Sequence, residues 1–160
     1  MKVIYPGSFD PVTYGHLDII ERCSKKFDHV IIAVLNNASK EGLYTIKERM
    51  ELLKKTTSKF KNVEIDSFTG LLADYVKTKG CTTLIRGLRA VSDYEYEMQM
   101  ALVNRKLDPD IETFFMVSNS EYIYLSSSIV KEIALHGGNI NYFVPDVVEE
   151  SLKKKIRGVV

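Results

Sequence analysis

Asp28 to Leu35 holds the run His29-Val30-Ile31-Ile32-Ala33-Val34-Leu35, apolar at every position after the histidine. A strand with one wet face alternates polar and apolar residues. A short unbroken run suits a strand covered on both faces, and such strands belong to parallel sheets flanked by helices. Lys2 to Tyr5, Val63 to Ile65, Thr82 to Ile85 and Ile111 to Val117 are further strand-like segments. Between them the period changes to that of a helix. Leu17, Ile20, Ser24 and Phe27 fall on one face, and Ile46, Met50 and Leu53 on another, behind a Thr45-x-x-Glu48 capping signature. Leu71, Leu72, Tyr75 and Val76 follow Gly70 and stop at Gly80, as at a C′ glycine. Val91, Tyr94, Met98, Leu102 and Arg105 mark a long helix, Ile129 to Leu135 a shorter one, and Pro145 opens a last one carrying Val148, Leu152 and Ile156. The alternation predicts a single α/β domain over 1–160, a doubly wound five-stranded parallel sheet with right-handed crossovers.

Composition narrows the function classes. At 160 residues, 45% hydrophobic and 27% charged, the chain can bury one sizeable core, which argues against disorder. A formal net charge of +1 gives no global field for a nucleic acid or a membrane surface, so neither partner is expected. No apolar run approaches the roughly 18 residues of a membrane span, and the chain opens directly into a strand without a signal-like segment. The expected location is the cytoplasm. Cys23 and Cys81 form no C-x-x-C pair and are expected as buried free thiols, and no metal-ligand cluster is visible.

In open parallel sheets ligands sit outside the carboxyl ends of the strands. The loops there hold Gly7 to His16, Lys40, Phe68 to Leu72, Arg86 to Arg89 and Asn119 to Ser128, so the unusual polar groups converge on one edge. Gly7 and Gly15 suit close approach of a ligand to backbone. His16, in or near a first helical turn, suits a phosphate-oxygen donor, since free N–H groups and the helix dipole favour anions there. Neither G-x-x-x-x-G-K nor G-x-G-x-x-G is present.

Each candidate has a plainer reading. His16 could only cap its helix, Lys40 could be solvated, and Ser126 to Ser128 could be an N-cap, although one serine suffices for that. Arg86 at a buried strand end needs an anion or a network, and with Arg89 it suggests a phosphate clamp. Tyr94-Glu95-Tyr96-Glu97 fits packing, subunit contact or ligand contact, while His29 and His136 read as structural. There is no nucleophile–base pair. Several phosphate-binding elements around one space suit phosphoryl or nucleotidyl transfer, which needs alignment and charge stabilisation more than covalent protein chemistry.

Thr13-Tyr14-Gly15-His16 has the form of the T/H-x-G-H signature of the nucleotidylyltransferase superfamily, and Ser126-Ser127-Ser128-Ile129-Val130-Lys131 resembles its serine-rich second signature. Tyr5-Pro6-Gly7-Ser8-Phe9-Asp10-Pro11, Ile85-Arg86-Gly87-Leu88-Arg89-Ala90-Val91 and Asp93-Tyr94-Glu95-Tyr96-Glu97 resemble the bacterial phosphopantetheine adenylyltransferases more narrowly, over essentially the whole chain. The resemblance implies a Rossmann-like nucleotidylyltransferase fold and, with Mg²⁺, the reaction of ATP and 4′-phosphopantetheine to dephospho-coenzyme A and pyrophosphate in coenzyme A biosynthesis. It implies catalytic roles for His16, Lys40 and Arg86, and acceptor contacts from Ser8, Lys40, Leu72 and Arg86. ATP contacts are implied for Ser8, Phe9, His16, Gly87, Leu88, Arg89, Glu97, Tyr122, Ile123, Tyr124, Leu125, Ser126, Ser127 and Ser128. His16 would stabilise the transition state, since an anionic phosphate nucleophile needs no base. A homohexamer and binding of product or coenzyme A are implied as well. Ser8 stands where threonine is common in the family, Tyr122 where tryptophan is often found, and Glu41-Gly42 follow Lys40 where basic or proline residues are frequent. Two rival readings are a non-catalytic nucleotide sensor and a flavodoxin-like or NAD-binding domain. The second lacks its glycine fingerprint.

Overall fold

The computed structural model describes residues 1–36, 42–89 and 91–158. In chain order the elements are β1 (Lys2–Gly7), α1 (Tyr14–Lys26), β2 (His29–Asn36), α2 (Ile46–Thr57), β3 (Val63–Thr69), α3 (Leu72–Lys79), β4 (Thr83–Leu88), α4 (Val91–Leu107) and β5 (Glu112–Val117). A 3-10 turn at Ser120–Tyr122, α5 (Ser127–Leu135) and α6 (Asp146–Arg157) follow. The five strands form one parallel sheet in the order β3-β2-β1-β4-β5, the doubly wound architecture expected from the alternation. The order reverses between β1 and β4. The loops after those two strands therefore leave in opposite directions and open a crevice, into which the first loop and the Arg86–Arg89 segment bring their side chains.

Side-chain alternation along the strands divides the core between the two faces of the sheet. Val3, Tyr5, Val30, Ile32, Val34 and Ile85 pack with Ile19 and Ile20 of α1, Leu52 and Leu53 of α2, Val130 of α5, and Val148 and Leu152 of α6. Ile4, Ile31, Ala33 and Leu84 face the other way, onto Ala73 and Val76 of α3. Cys23 and Cys81 are buried free thiols. No helix among the described residues is long and apolar enough to cross a membrane.

Local signals translate directly. Thr45 accepts from the Glu48 N–H while Glu48 reaches back to the Thr45 N–H, and Gly80 ends α3 at φ 56°. One boundary differs in a way that matters for the site. Apolar side chains suggest that β4 ends at Ile85, yet the strand continues, with Arg86, Gly87 and Leu88 registered against Phe115, Met116 and Val117 of β5. Ladder hydrogen bonds need no apolar side chain. Arg86 is therefore fixed by a strand and not by a loop.

Candidate active site

His16 is held by its own helix start. Thr13 is the N-cap of α1, and its hydroxyl accepts from the His16 N–H at 3.4 Å. The Thr13 backbone N–H donates to His16 Nδ1 at 3.1 Å, so the imidazole does the work usually done by a glutamate at this position. A backbone N–H can only donate. Nδ1 is thus the unprotonated nitrogen and Nε2 carries the hydrogen. Burial, aided by the Arg89 charge, pushes the His16 pKa down to about 4, so the ring is neutral at pH 7. It offers one N–H donor, on the nitrogen that the cap leaves free. The helix-capping reading and the phosphate-donor reading are compatible: Nδ1 does the first and Nε2 is available for the second.

Phe9 lies beneath this ring, 5.0 Å from it between centroids, and its edge meets Tyr5 at 5.5 Å. Its φ of 47° is unusual for a bulky residue and is sustained by the buried ring's contacts with Tyr5 and His16. A Cβ on Gly7 would sit 2.9 Å from the Phe9 ring. Gly7 therefore makes room for an internal aromatic contact. It also lines both of the clefts described next, so this contact is compatible with the close ligand approach that the sequence suggests.

Two clefts meet over Pro6-Gly7-Ser8, Arg86 and Glu97. One, of about 250 Å³, is polar and is lined by Ser8, His16, Arg89 and Ser126–Ser128. The other, of about 370 Å³, is apolar, with walls from Phe68, Leu71, Leu72, Tyr96 and Met100. Arg86 stands at the junction. Its Nε and Nη2 both donate to the Glu97 carboxylate, and its Nη1 donates to the Pro6 carbonyl at 2.8 Å. Burial disfavours the Arg86 charge, but Glu97 more than compensates and raises its pKa above the usual arginine value. The network reading of Arg86 is the observed one. With three of its five N–H groups engaged this way, the guanidinium keeps donors for an anion at its outer end. Arg89 bonds the Leu125 carbonyl at 2.9 Å. In the serine run, Ser126 caps α5 by accepting from the Ile129 N–H at 3.2 Å, and Ser127 donates to the Pro11 carbonyl at 2.7 Å. Ser128 is exposed at the rim.

The cytidylyltransferase-like family matches residues 4–133. A phosphopantetheine adenylyltransferase of Alkaliphilus metalliredigens is 53% identical over 156 residues, covering 97% of this chain and 99% of the relative. One of Caldanaerobacter subterraneus subsp. tengcongensis is 56% identical over 154 residues, covering 96% of each. The chain belongs to the phosphopantetheine adenylyltransferase family. The fold is also that of a Plasmodium falciparum nicotinic acid mononucleotide adenylyltransferase solved with NaAD, at a TM-score of 0.68 and 15% identity over 99% of this chain and 95% of that one.

Of the positions that resemblance to phosphopantetheine adenylyltransferases suggests for ATP, Ser8, Phe9, His16, Gly87, Arg89, Glu97, Leu125 and the three serines line the polar cleft. Leu88, Tyr122, Ile123 and Tyr124 do not line it. Tyr122 stacks on Tyr14 with ring centroids 6.1 Å apart, and Tyr124 meets Phe143 at 6.3 Å. Leu72 and Arg86 line the apolar cleft, and Lys40 lies outside the described residues. The ambiguous run on α4 divides by residue: Tyr94 packs on Phe115, Tyr96 lines the apolar cleft and Glu97 holds Arg86. His29 bonds Glu64 at 2.8 Å, and His136 is the C-cap of α5.

Three charged residues escape a reading of the sequence for site groups. Asp10 and Arg49 are buried and Lys131 is half-buried, and the three meet beside Ser8. Arg49 had a legible signal. It falls between Ile46 and Leu53 on the apolar stripe of α2, where a solvated arginine is out of place.

Proposed function

We propose that the chain transfers the adenylyl group of ATP to 4′-phosphopantetheine, releasing pyrophosphate and forming dephospho-coenzyme A. The observation that carries this reading is the junction of a polar and an apolar cleft at Ser8 and Arg86, in a chain of this family. A phosphate on a long arm, whose methylenes and gem-dimethyl group can pack on apolar walls, suits the second cleft, with Arg86 at its phosphate end and Leu72 along the arm. ATP suits the first, with its phosphates near His16, Arg89 and the start of α5.

The acceptor phosphate attacks the α-phosphorus in line and pyrophosphate leaves. His16 donates a hydrogen bond from its Nε2–H, without losing the proton, to an oxygen of the phosphorus in transit, stabilising charge as it builds. It abstracts no proton, because the attacking oxygen is already anionic. Lys40 adds positive charge on the acceptor side. Among the described residues no group of three His, Cys, Asp or Glu side chains could hold a metal ion. Mg²⁺, the cofactor of this proposal, would be supplied with ATP and would neutralise part of the phosphate charge.

Pyrophosphate release should require ATP, Mg²⁺ and phosphopantetheine together. Release with nicotinamide mononucleotide in place of phosphopantetheine would move the assignment to a sister enzyme. Tight ATP binding with no turnover of any acceptor would favour a sensor. The proposal extends to a homohexamer in the cytoplasm that also binds its product or coenzyme A. Met98, Leu102, Val103 and Leu107 on α4 and Phe114 on the edge strand β5 are exposed, which supports burial of this face between copies. Sedimentation at six times the monomer mass is expected, and a monomer at micromolar concentration overturns the assembly.

A further inference from the structure

The Asp10 carboxylate lies where three separate segments meet. Its Oδ2 accepts from the Leu43 N–H at 3.1 Å and from Lys131 Nζ at 2.7 Å, and its Oδ1 accepts from the Tyr44 N–H at 2.9 Å. Arg49 Nε stands 3.4 Å from Oδ1 and donates to the Tyr44 carbonyl at 2.8 Å. Arg49 Nη1 then donates to the Ser8 carbonyl at 3.3 Å. A Cβ on Gly42 would lie 1.7 Å from Arg49 Nη2 and 3.1 Å from Asp10 Oδ2, so the chain is pressed onto this group of charges. Burial alone would raise the Asp10 pKa. The hydrogen bonds from Lys131, Tyr44 and Leu43 outweigh it and hold the carboxyl below its usual range.

Each segment carries site groups. Ser8, common to both clefts, is two residues before Asp10. Lys131 belongs to α5, whose start bears the serine run, and Ser127 of that run is tied to the neighbouring Pro11 carbonyl. The 42–44 segment leads into α2, which brings Arg49 to the Ser8 carbonyl. A buried ion pair serving stability alone needs one cation. This carboxylate has two cations and two backbone donors, from chain stretches up to 121 residues apart.

We propose that Asp10 is a positioning residue that holds the 42–44 segment, Arg49 and helix α5 in register with Ser8, giving both substrate clefts a common geometry. The inference rests on the adenylyl-transfer reading for its kinetic test and on the structure alone for its exchange test. Asp10 touches neither substrate. It acts through Arg49 on Ser8 and through Lys131 on α5. Asparagine cannot replace it, because one amide oxygen cannot serve the Leu43 and Tyr44 donors while its NH₂ faces Lys131.

The test uses Asp10→Asn, Lys131→Met and Lys131→Arg in the full chain. Asp10→Asn and Lys131→Met are expected to lower kcat on the order of 10–100-fold, the effect of a small misplacement of reacting groups. Both should raise KM for ATP and for phosphopantetheine together, and Lys131→Arg should restore most of each. If Asp10→Asn does not fold, Lys131→Met carries the test. A folded Asp10→Asn with unchanged constants overturns the proposal. So does a Lys131→Met variant in which only the ATP KM rises, since Lys131 would then be a direct nucleotide contact. Amide exchange at Leu43 and Tyr44 reads the tie without any activity. It should quicken in Lys131→Met and slow again in Lys131→Arg, and unchanged exchange overturns the proposal even if the substrates prove to be others. Altered exchange in a protein that releases no pyrophosphate would leave Asp10's tie standing and remove the adenylyl-transfer reading instead.

Discussion

The two clefts share a floor and differ in how their walls are held. In the polar cleft the working groups are fixed by hydrogen bonds within the protein: His16 to Thr13, Arg89 to Leu125, Ser126 to Ile129 and Ser127 to Pro11. In the apolar cleft Leu71, Tyr96 and Met100 are exposed, and among the described residues its lining includes no comparable set of side-chain hydrogen bonds apart from Arg86 and Glu97. The difference matches the proposed tasks. Stabilising charge at a phosphorus needs donors already in place, because reorganising them during reaction forfeits the gain. Covering the methylene and methyl groups of the acceptor arm needs area and shape, which are non-directional. Substitutions on the polar side should therefore act on kcat, and those on the apolar side on KM.

The sharpest way to break that contrast is His16→Ala. If the Nε2 hydrogen works mainly in the transition state, kcat should fall about 100- to 1000-fold, roughly 2.7–4 kcal/mol, with a much smaller change in ATP affinity. An unchanged kcat removes His16 from the mechanism. Arg86→Ala comes next and bridges the two sides. It should raise KM for phosphopantetheine strongly and, by stranding the Glu97 carboxylate, reduce stability by about 1–3 kcal/mol. The double variant Arg86→Met with Glu97→Gln should recover the melting temperature and leave the acceptor KM high. A double variant with normal handling of the acceptor would make Arg86 purely structural. Smaller again is Leu72→Ala. An acceptor KM raised about tenfold with an unchanged ATP KM is expected for lost apolar contact, and an equal rise in both constants would erase the distinction between the clefts.

The sequence reveals features whose causes are local. The Thr45–Glu48 box, the Gly80 terminus and the covered run of β2 depend on neighbours a few residues away or on period alone. Convergence of the strand-end loops follows from the topology, so Ser8, His16 and Arg86 could be gathered before any coordinates. Asp10 and Lys131 could not be paired in the same way, because 121 residues separate them and no periodic rule relates them. Glu97 was legible through family resemblance, but its bond to Arg86 joins an exposed-looking helix run to a strand end. The histidine's tautomer was hidden too: it depends on which ring nitrogen the Thr13 N–H meets.

The finest test of the polar side is pH. The folded chain keeps His16 neutral down to about pH 4, because burial and Arg89 both oppose its charge. An unfolded chain binds that proton near the ordinary value of about 6.5. Between these limits the unfolded state holds more protons, so acidification removes stability from about pH 6.5 down to about 4, and this contribution is constant outside that window. The melting temperature of wild type should therefore fall relative to that of His16→Gln between pH 7 and pH 5. The kinetic counterpart is a null result with content. kcat/KM for ATP reports ionisations of the free enzyme and of free substrate, and with Nε2 protonated throughout, no break near pH 6.5 should trace to this residue. A break there that His16→Gln abolishes would mean that the imidazole is charged in the working enzyme. It would also mean that the Thr13 cap does not hold Nδ1 as an acceptor, and the polar cleft would then be less rigid than its hydrogen bonds imply.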